Sequence, residues 1–437
     1  MNLSIREFGL LSSKGTDNGL DYRVVPDAAY QELRTCALES TGRESSPQLL
    51  RLTSKHGMEC VQACNYVGLI QTSDGCRIEI LPKTSNHSED PSNARMVLWR
   101  MLQTVLDIRA AEAGAASLST LNRDWLEVLI EWVLNEISQL VRRGICSGYI
   151  RQVEQSPFLK GQLQVSRQLR LRPGKHDRFC VSYDQYLPDR AENRLIHSAL
   201  KKLSRWTQLP RNQRLCRELL FVFSDIPESK HIKADLALWS DRRDMAHYQP
   251  VHPWVKLILA DESPVFSAGQ WNGISMLFPM EQLFEEYVAK KLISKLGAGY
   301  LLKTQARSKY LVRHLGKDWF QLRPDLLIQQ GKRIVTALDT KWKLIDASAN
   351  DGATKYNIKQ ADMYQLFAYG EKYLGGEGDI FLVYPKHDGF LSPLPVFEFN
   401  DCLRLWAVPF DLDNNLLVGG SWQQHSEWIK DTLLDVA

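Results

Sequence analysis

The stretch LRPDLLIQQGKRIVTALDTKWK, residues 322–343, decides the fold of the C-terminal part of the chain. Its apolar run at residues 326–328 and its β-branched run at residues 334–338 have the composition of strands, and a polar turn containing Gly331 separates them. The stretch therefore predicts a β-hairpin whose two outer ends lie side by side.

Charged residues stand at those outer ends. Asp325 precedes the first strand, and Asp339 and Lys341 are two positions apart in the second strand, so they are expected to point to the same side. Simple pairing about Gly331 places Asp325 nearer to Thr336 than to Asp339, so a bulge, strand twist or the reach of the side chains must close the gap. The pattern predicts two carboxylates and one ammonium in one small patch.

This combination of charges suits hydrolysis of a phosphodiester bond. A divalent cation such as Mg2+ polarises the phosphate and lowers the pKa of the attacking water, and it binds few protein oxygens together with the substrate phosphate. Asp325 and Asp339 are candidate ligands for Mg2+, or for Mn2+ in its place, and Lys341 is a candidate for stabilising charge on the phosphate. The alternative is an exposed ion pair between Asp339 and Lys341 without a catalytic role.

The segments on either side of the hairpin are predicted to be helices. In FPMEQLFEEYVAKKLISKLG, Glu281 and Glu285 lie along the edge of the apolar stripe, and either one is a candidate third carboxylate. In IKQADMYQLFAYGEKYL, Gln365 and Tyr369 lie on one helix face, with Asp362 one turn earlier. An amide and a phenol can hold phosphates or waters beside a metal. Ordinary helix-surface side chains are the alternative in both segments.

The chain of 437 residues is long enough for two or three domains, and its 44% apolar and 10% aromatic residues are ordinary for a well-packed protein. The N-terminus lacks the pattern of a signal peptide, and charged residues interrupt each apolar stretch before the roughly 18 residues that a membrane span needs. These features predict a cytoplasmic protein without a membrane partner. Cys60 and Cys64 form a weak zinc signal, and reduced thiols are expected.

The net charge of +3 conceals two basic segments. Residues 142–214 contain sixteen Lys or Arg and five Asp or Glu, and residues 303–317 contain five basic residues and no acid. Such segments fit the phosphate backbone of double-stranded DNA, and the alternatives are a solvated helix face or a binding site for an acidic protein. The candidate DNA-binding residues are Arg167, Arg170, Arg172, Lys303, Arg307, Lys309 and Arg313.

The sequence contains no nucleotide-binding P-loop. Its three Gly-Lys pairs, at residues 174–175, 316–317 and 331–332, are followed by His, Asp and Arg instead of Ser or Thr. We therefore expect this chain to bind no nucleotide itself, and any nucleotide-driven motor to be another protein.

The pattern of elements divides the chain into three regions. Residues 1–90 are predicted to be β-rich, with a helix at residues 27–40 and a hairpin in which Asp74-Gly75 joins two strands. Residues 91–265 are predicted to be a mainly helical, basic region, because apolar residues recur at helical spacing in DWLEVLIEWVLNEISQLV. Residues 266–437 mix helix and strand patterns. The expected fold class is a multidomain α/β protein.

The order of the C-terminal elements resembles the PD-(D/E)xK nuclease superfamily. A helix with a glutamate precedes the Pro324-Asp325 and Asp339-Thr340-Lys341 motifs of the hairpin, and the helix with Gln365 and Tyr369 resembles the additional motif of the RecB-like branch. More narrowly, much of the chain resembles the McrC family, the nuclease subunit of modification-dependent restriction systems. The segments that carry this resemblance are GLIQTSDGCRIEILPK, FLKGQLQ, YLPDRAENRLIHSALKKL, FPMEQLFEEYV and the hairpin region.

The resemblance implies a C-terminal PD-(D/E)xK nuclease fold over residues 266–437, with a mixed central sheet flanked by helices. Carried over by position, the site residues are the metal ligands Asp325, Asp339 and Glu285, the catalytic Lys341, and the accessory residues Gln365 and Tyr369. Glu281 remains a competitor for the position of the helix carboxylate. Pro188-Asp189 imitates part of the signature, but Glu192 follows too closely and is paired with Arg194, so no second site is expected there.

The resemblance also implies a partner and a function. In the family the N-terminal part, here the predicted docking region of residues 1–90, engages McrB, an AAA+ GTPase that forms a hexameric ring, and stimulates its GTP hydrolysis. The implied function is a Mg2+-dependent DNA endonuclease subunit of a type IV restriction complex that acts on modified cytosine. The alternatives are a stand-alone RecB-like repair nuclease and an inactive nuclease-like adaptor.

Overall fold

A computed structural model describes residues 2–41, 48–55, 57–84, 91–106, 125–171, 177–240, 242–259 and 274–430. The chain forms two compact units, of which the first joins Met1–Leu121 to Ser263–Ala437 and the second is Asn122–Glu262. The division into three regions stays a prediction, and its first and last regions lie in the same compact unit. Within the described ranges, no helix combines the length and the apolar character that crossing a membrane requires.

The N-terminal part of the first unit is built on two small sheets. Its elements are β1 (Asn2–Arg6), β2 (Leu10–Ser12), β3 (Tyr22–Val24), α1 (Asp27–Thr41), β4 (Leu50–Lys55), β5 (Met58–Ala63), β6 (Tyr66–Gln71), β7 (Arg77–Leu81) and α2 (Pro91–Val105). One sheet has the order β3-β2-β5-β4, and in the other β7 lies between β1 and β6. Helix α1 buries Leu33 and Cys36 in one cluster with Val61 and Ile78. The predicted helix at residues 27–40 and the predicted hairpin of β6 and β7 are confirmed.

The second unit combines helices with a three-stranded antiparallel sheet of order β8-β10-β9. Its elements are α3 (Trp125–Arg143), β8 (Gly148–Ser156), β9 (Gln162–Leu163), α4 (Val165–Gln168), β10 (Phe179–Leu187), α5 (Ala191–Trp206), α6 (Pro210–Val222), α7 (Ile232–Ala237) and α8 (His252–Leu259). The spacing that predicted α3 is confirmed, since Leu126, Leu129 and Val133 are buried. Most described residues of this region that lie in regular elements are helical, and the sheet adds strands that the sequence did not predict, because β8 shows no apolar alternation.

The C-terminal part of the first unit contains a larger mixed sheet. Its elements are β11 (Ile274–Pro279), α9 (Met280–Ile293), β12 (Tyr300–Thr304), β13 (Lys309–His314), β14 (Lys317–Leu322), β15 (Leu326–Gln330), β16 (Arg333–Thr340), α10 (Gln360–Tyr369), β17 (Gly378–Pro385), β18 (Phe397–Glu398), β19 (Leu403–Asp411) and β20 (Leu416–Leu417). The sheet has the order β12-β15-β16-β17-β19-β18, with β20 paired to β19. β16, β17 and β19 run parallel, and the other pairs are antiparallel.

The parallel strands form the centre of this part because they are apolar on both faces, as strands covered on two sides must be. β17 and β19 are buried along almost their whole length. Helix α10 ends against the sheet at Gly370, where a Cβ atom would lie only 2.6 Å from Leu403 and 2.8 Å from Ile380. Glycine at this position therefore allows the end of α10 to approach the strands.

Strand β11 connects the two ends of the sequence. It pairs in antiparallel with β6 of the N-terminal sheet and leads directly into α9. A Cβ atom on Gly68 in β6 would lie 2.0 Å from the carbonyl oxygen of Met276 in β11, and Gly68 has a φ of +137°, so the pairing requires glycine there. The predicted apolar stripe of α9 is confirmed, since Leu283, Phe284 and Val288 are among its buried residues.

Candidate active site

The register of β15 and β16 brings the two aspartates of the hairpin together. The hairpin is confirmed, with Leu326 opposite Leu338 and a bulge that shifts the register by one residue between the turn and the open end. Asp325 directly precedes this ladder and Asp339 ends it on the other strand, so the two residues stand beside each other. The shifted register replaces the simple pairing that placed Asp325 nearer to Thr336.

Asp339 is a buried carboxylate, with 1% of its surface exposed. Lys341 Nζ lies 2.7 Å from Asp339 Oδ2, and the two groups form an ion pair. Burial and then the charge of Asp325 raise the pKa of Asp339, whereas Lys341 lowers it. The burial of Asp339 rules out the alternative of an exposed surface pair.

Asp325 is held by the strand that carries Asp339. Its Oδ2 atom accepts hydrogen bonds from the backbone N–H of Thr340 at 2.8 Å and from the Thr340 hydroxyl at 3.0 Å. Its backbone carbonyl accepts a third bond from the N–H of Gln305 at 2.8 Å. Burial raises the pKa of Asp325, and the bonds from Thr340 and the charge of Lys341 oppose that rise. Thr340 thus orients Asp325 through one oxygen and leaves the other for a ligand.

Of the two candidate glutamates on α9, the structure brings Glu285 to the aspartates. Glu285 is half-buried, and its carboxylate accepts a hydrogen bond from the Gln305 side chain. Burial, followed by the charge of Asp325, raises the pKa of Glu285 to about 7. Glu281 is exposed and instead acts electrostatically on Glu7 and Tyr66. Geometry therefore favours Glu285 as the third carboxylate.

Tyr369 and Gln365 join the site through the backbone before Asp325. The Tyr369 hydroxyl donates to the carbonyl of Arg323 at 2.9 Å and accepts from Gln365 Nε2 at 2.6 Å. Tyr369 is buried, and this burial raises its pKa to about 12. Its hydroxyl thus holds the chain two residues before Asp325, and contact of Gln365 or Tyr369 with phosphate stays a prediction.

The site has an excess of negative charge around one ammonium. Burial lowers the pKa of Lys341, but the charges of Asp339, Asp325 and Asp362 raise it by more, so Lys341 stays protonated. Asp362 lies in α10, and its charge also raises the pKa of Asp339. With Glu285, four carboxylates act on the space around one lysine, which favours the binding of a further cation.

The donor set fits a hard divalent cation. Among the described residues, no three His, Cys, Asp or Glu side chains lie close enough to form a metal-binding group by themselves. Mg2+ does not require such a group, because in phosphate chemistry it binds one or two carboxylates and completes its shell with waters and phosphate oxygens. The buried carboxylate of Asp339 and the remaining oxygen of Asp325 are oxygen donors of the type that such an ion prefers.

Sequence reasoning missed Glu7, which supports the site from the other end of the chain. Glu7 is 1% exposed, and its Oε2 atom accepts from Trp342 Nε1 at 2.7 Å and from the backbone N–H of Lys83 at 2.9 Å. Trp342 follows Lys341, and its ring packs on Phe284 with centroids 5.2 Å apart, next to Glu285 on α9. The only sequence signal was an acidic residue directly after strand β1.

Tyr384 was also missed. It is buried at the end of β17, and its hydroxyl has no hydrogen-bond partner among the described residues. Burial raises its pKa above the ordinary range, and the charges of Asp362 and Asp339 add to that rise. Tyr384 therefore places an unused hydroxyl near the carboxylates, a position that follows from the parallel pairing of β17 with β16 and not from a local motif.

The predicted DNA-binding residues fall in both units. Lys303, Arg307, Lys309 and Arg313 are exposed in the first unit, in β12, in β13 and between them. Arg167 and Arg170 lie in the second unit, in and after the four-residue helix α4, and both are exposed or nearly so. Arg172 lies outside the described residues. Contact of any of these residues with DNA stays a prediction.

The segment after Pro188 forms an internal charge network instead of a second site. Asp189 pairs with Arg194, whereas Glu192 is buried and pairs with Arg190 at 3.2 Å. The expected pairing of Glu192 with Arg194 is therefore wrong. The Arg194 guanidinium pairs with Asp189, and Glu192 pairs with Arg190 instead. Both carboxylates are neutralised by the protein itself.

Two solved structures from Thermococcus gammatolerans are similar to this chain. A structure of McrB AAA+ hexamers with bound McrC, refined as a half-complex of a tetradecameric assembly, matches 94% of this chain and 95% of its own, with a TM-score of 0.61 and 18% sequence identity. A structure of the McrBC complex from the same organism matches 67% of this chain and 87% of its own, with a TM-score of 0.47 and 18% identity. No curated protein matches the sequence.

The family assignment comes from the sequence. The model of the McrBC 5-methylcytosine restriction system component family matches residues 61–385, which is more than half of the chain and includes the hairpin with Asp325, Asp339 and Lys341. This chain therefore belongs to the family of McrBC 5-methylcytosine restriction system components.

Proposed function

We propose that this chain is the nuclease subunit of a type IV restriction complex, a Mg2+-dependent endonuclease that cuts double-stranded DNA containing modified cytosine. One observation carries the proposal. Asp339 is buried, stands beside Asp325 and forms an ion pair with the ammonium of Lys341, 2.7 Å from its Oδ2 atom. Membership of the McrBC family supports the restriction context.

The order of elements supports a PD-(D/E)xK nuclease fold for the C-terminal part. Helix α9 brings Glu285 to the open end of the β15–β16 hairpin, and α10 brings Tyr369 to the backbone just before Asp325. The mixed sheet continues from β16 to β17 and β19 in parallel. This is the helix, hairpin and helix order from which the superfamily resemblance was drawn.

Each side chain of the site has a chemical role in this proposal. Asp325, Asp339 and Glu285 would hold Mg2+ or Mn2+, and the bound ion supplies the positive charge that polarises the phosphate and acidifies water. Thr340 keeps Asp325 in one orientation. Lys341, held beside Asp339, stabilises the charge that develops on the phosphate. In the metal-free protein burial raises the pKa of Glu285 to about 7, so binding of a cation at this site would favour its ionised form.

A separate AAA+ GTPase of the McrB type, arranged as a hexamer, supplies the motor in this proposal. The solved structure with the same fold contains McrB AAA+ hexamers with bound McrC. This chain lacks a P-loop of its own, so it needs another protein for nucleotide hydrolysis. Reading of the modified base then lies with that partner, and the contacts of this chain with DNA go to phosphates.

The test compares Asp339→Asn with wild type in a complex reconstituted with the GTPase. Asparagine keeps the shape but removes the charge, so we expect DNA cleavage to fall at least a hundredfold, about 3 kcal/mol in the barrier, with GTPase stimulation retained. Asp401→Asn, which changes an exposed aspartate, is the matched control and should cut like wild type. EDTA should abolish cleavage by both active proteins.

Three outcomes would contradict parts of the proposal. Cleavage by a folded Asp339→Asn protein would refute the active-site assignment. Full cleavage by the wild-type chain without GTPase or GTP would favour a stand-alone nuclease, and no cleavage by the wild-type complex on any methylated DNA would favour an inactive adaptor.

A further inference from the structure

The β13–β14 hairpin is exposed on both faces. Every residue from 311 to 320 is exposed, although strands β13 and β14 pair only with each other. Its turn consists of Leu315 and Gly316, both with positive φ, 48° and 79°. An isolated two-stranded hairpin is marginally stable in water, so this one offers two open faces that a ligand can cover.

The hairpin begins and ends at the candidate active site. Gln305, just before it, donates its backbone N–H to the carbonyl of Asp325, just after it, at 2.8 Å, and its side chain bonds to Glu285. The Tyr373 hydroxyl lies 3.3 Å from the carbonyl of Leu322 at the base of β14. A molecule that lies on the hairpin is therefore adjacent to the site that carries Asp325.

The charge on the hairpin and its flanks is almost entirely positive. Between residues 303 and 323, Asp318 is the only acid. The exposed cations of this segment are Lys303, Arg307, Lys309, Arg313, Lys317 and Arg323. None of them forms an ion pair with a carboxylate in the described part of the chain. Exposed cations without a carboxylate partner complement a polyanion.

Apolar side chains share the hairpin with these cations. Leu315 is 88% exposed, Phe320 67% and Trp319 48%. Leu315 and Phe320 have positive φ, 48° and 59°, a conformation that costs such residues roughly 1–3 kcal/mol. The cores of protein interfaces are depleted in charged residues, whereas proteins that bend DNA combine Arg and Lys with apolar wedges such as Phe and Leu. The mixture on this hairpin matches the second pattern.

We propose that the β13–β14 hairpin binds duplex DNA beside the scissile phosphate, with its cations on the phosphates and with Leu315 and Phe320 inserted between base pairs from the minor groove. This inference rests on the proposed function, since it assigns the DNA contact of the same site. It goes beyond charge, because the apolar side chains contact the bases and widen or kink the duplex where Asp325 and Asp339 approach it.

The first experiment measures the affinity of the full-length chain for a fluorescent duplex in EDTA, over a range of salt concentrations. The variant Lys309→Glu/Arg313→Glu should lower the slope of log affinity against log salt by about 1.8, since each phosphate contact contributes about 0.9. The matched control is Lys332→Glu/Arg333→Glu, which reverses two exposed cations at the opposite end of β15 and β16. The control should keep the wild-type slope.

The second experiment removes the apolar contacts. Leu315→Gly/Phe320→Asn places residues that tolerate positive φ at both positions, so folding should be maintained, as thermal melting will check. Affinity for the duplex should fall about tenfold, the contribution of one base-stacking contact. The salt slope should not change, because apolar contacts release no counterions. Leu391→Ser, an exposed leucine elsewhere in the unit, should bind like wild type.

Other results would overturn the inference. One is that both hairpin variants keep the wild-type affinity and salt slope, and another is that the wild-type chain does not bind DNA. A third is that the hairpin variants lose a dimer that wild type forms in sedimentation, with DNA binding unchanged, which would make the hairpin an interface between copies. Cleavage by the reconstituted complex separates the two proposals. A complex that cuts normally with both hairpin variants refutes this inference alone, and hairpin-dependent binding without cleavage by wild type refutes the nuclease alone.

Discussion

Substituting Glu7 by Gln tests how the N-terminal sheet supports the candidate active site. One oxygen of Glu7, Oε2, accepts both bonds, from Trp342 Nε1 and from the N–H of Lys83, and the buried Oε1 has no partner. The carbonyl oxygen of a glutamine can accept the same two bonds. Glu7→Gln therefore removes the charge and keeps the contacts.

The pKa of Glu7 sets the size of the effect. Burial raises this pKa from 4.5 to about 7, with a smaller contribution from Glu281, against the bonds from Lys83 and Trp342, which lower it. Because the pKa is higher in the folded protein, the stabilising contribution of protonated Glu7 is complete below pH 4.5 and is lost as the pH rises towards 7. At about 1.4 kcal/mol per pKa unit, wild type loses up to about 3 kcal/mol relative to the variant over this range.

The assay compares urea and thermal unfolding of both proteins at pH 5, 6, 7 and 8. The free energy of unfolding of Glu7→Gln should increasingly exceed that of wild type up to pH 7, and the difference should then level off. Between pH 4.5 and pH 7 the Tm of the variant should rise by roughly 6 °C relative to the Tm of wild type. Glu398→Gln, a substitution of an exposed glutamate, should follow wild type at every pH. If the two proteins differed in their free energy of unfolding by the same amount at all four pH values, the raised pKa of the buried Glu7 carboxylate would be refuted.

The same position tests a positioning role. Glu7→Ala leaves the Trp342 indole N–H without its acceptor, so Trp342 and the adjacent Lys341 should lose their fixed place. We expect cleavage to fall about tenfold or more in Glu7→Ala, through kcat and not through DNA affinity, and to be restored in Glu7→Gln. Equal loss in both variants would show that the charge of Glu7, and not its hydrogen bonds, matters.

Three further predictions follow from the site and the sheet. Mg2+ at a hundred times its Kd should stabilise wild type by about 2.7 kcal/mol in thermal melting. Lys341→Ala should keep this stabilisation and lose cleavage, whereas Asp339→Asn should lose both. Stabilisation of Asp339→Asn by Mg2+ would refute the role of Asp339 as a metal ligand. Tyr369→Phe removes the hydrogen-bond donor to the Arg323 carbonyl, so the free energy of unfolding in urea should fall by about 1 kcal/mol. Cleavage should also fall, because the backbone before Asp325 loses this support. Cleavage at the wild-type rate would show that the bond is dispensable. Gly370→Ala should destabilise the unit by about 1–3 kcal/mol in the same assay, since its Cβ would overlap Leu403; an unchanged midpoint would mean that the strands adjust without cost.

The central part of the candidate site was predictable because its signals are local. The hairpin follows from two strand-like runs around Gly331, and α9 from an apolar stripe at helical spacing, both within about twenty residues. These elements carry Asp325, Asp339 and Glu285. The register of the hairpin was not predictable, because a bulge leaves no mark in the apolar pattern and yet decides which residues face each other.

The supporting contacts were not predictable, because they join distant segments. Glu7 and Trp342 are 335 positions apart. Gln305 bonds to both Glu285 and Asp325 although no pattern singles it out. Strand β8 escaped prediction for another reason, since its pairing with β10 depends on backbone hydrogen bonds and its exposed side chains carry no alternation.

These long-range contacts change how docking and chemistry can be separated by experiment. A cut at residue 265 would remove β11 from its place beside β6 and leave that edge of the N-terminal sheet unpaired. It would also take Trp342 away from Glu7, leaving a buried glutamate without one of its donors. A fragment that ends there would be expected to lose stability whether or not it contains the docking surface. Point substitutions such as Asp339→Asn, which leave both contacts in place, therefore test the division of labour more directly than truncation does.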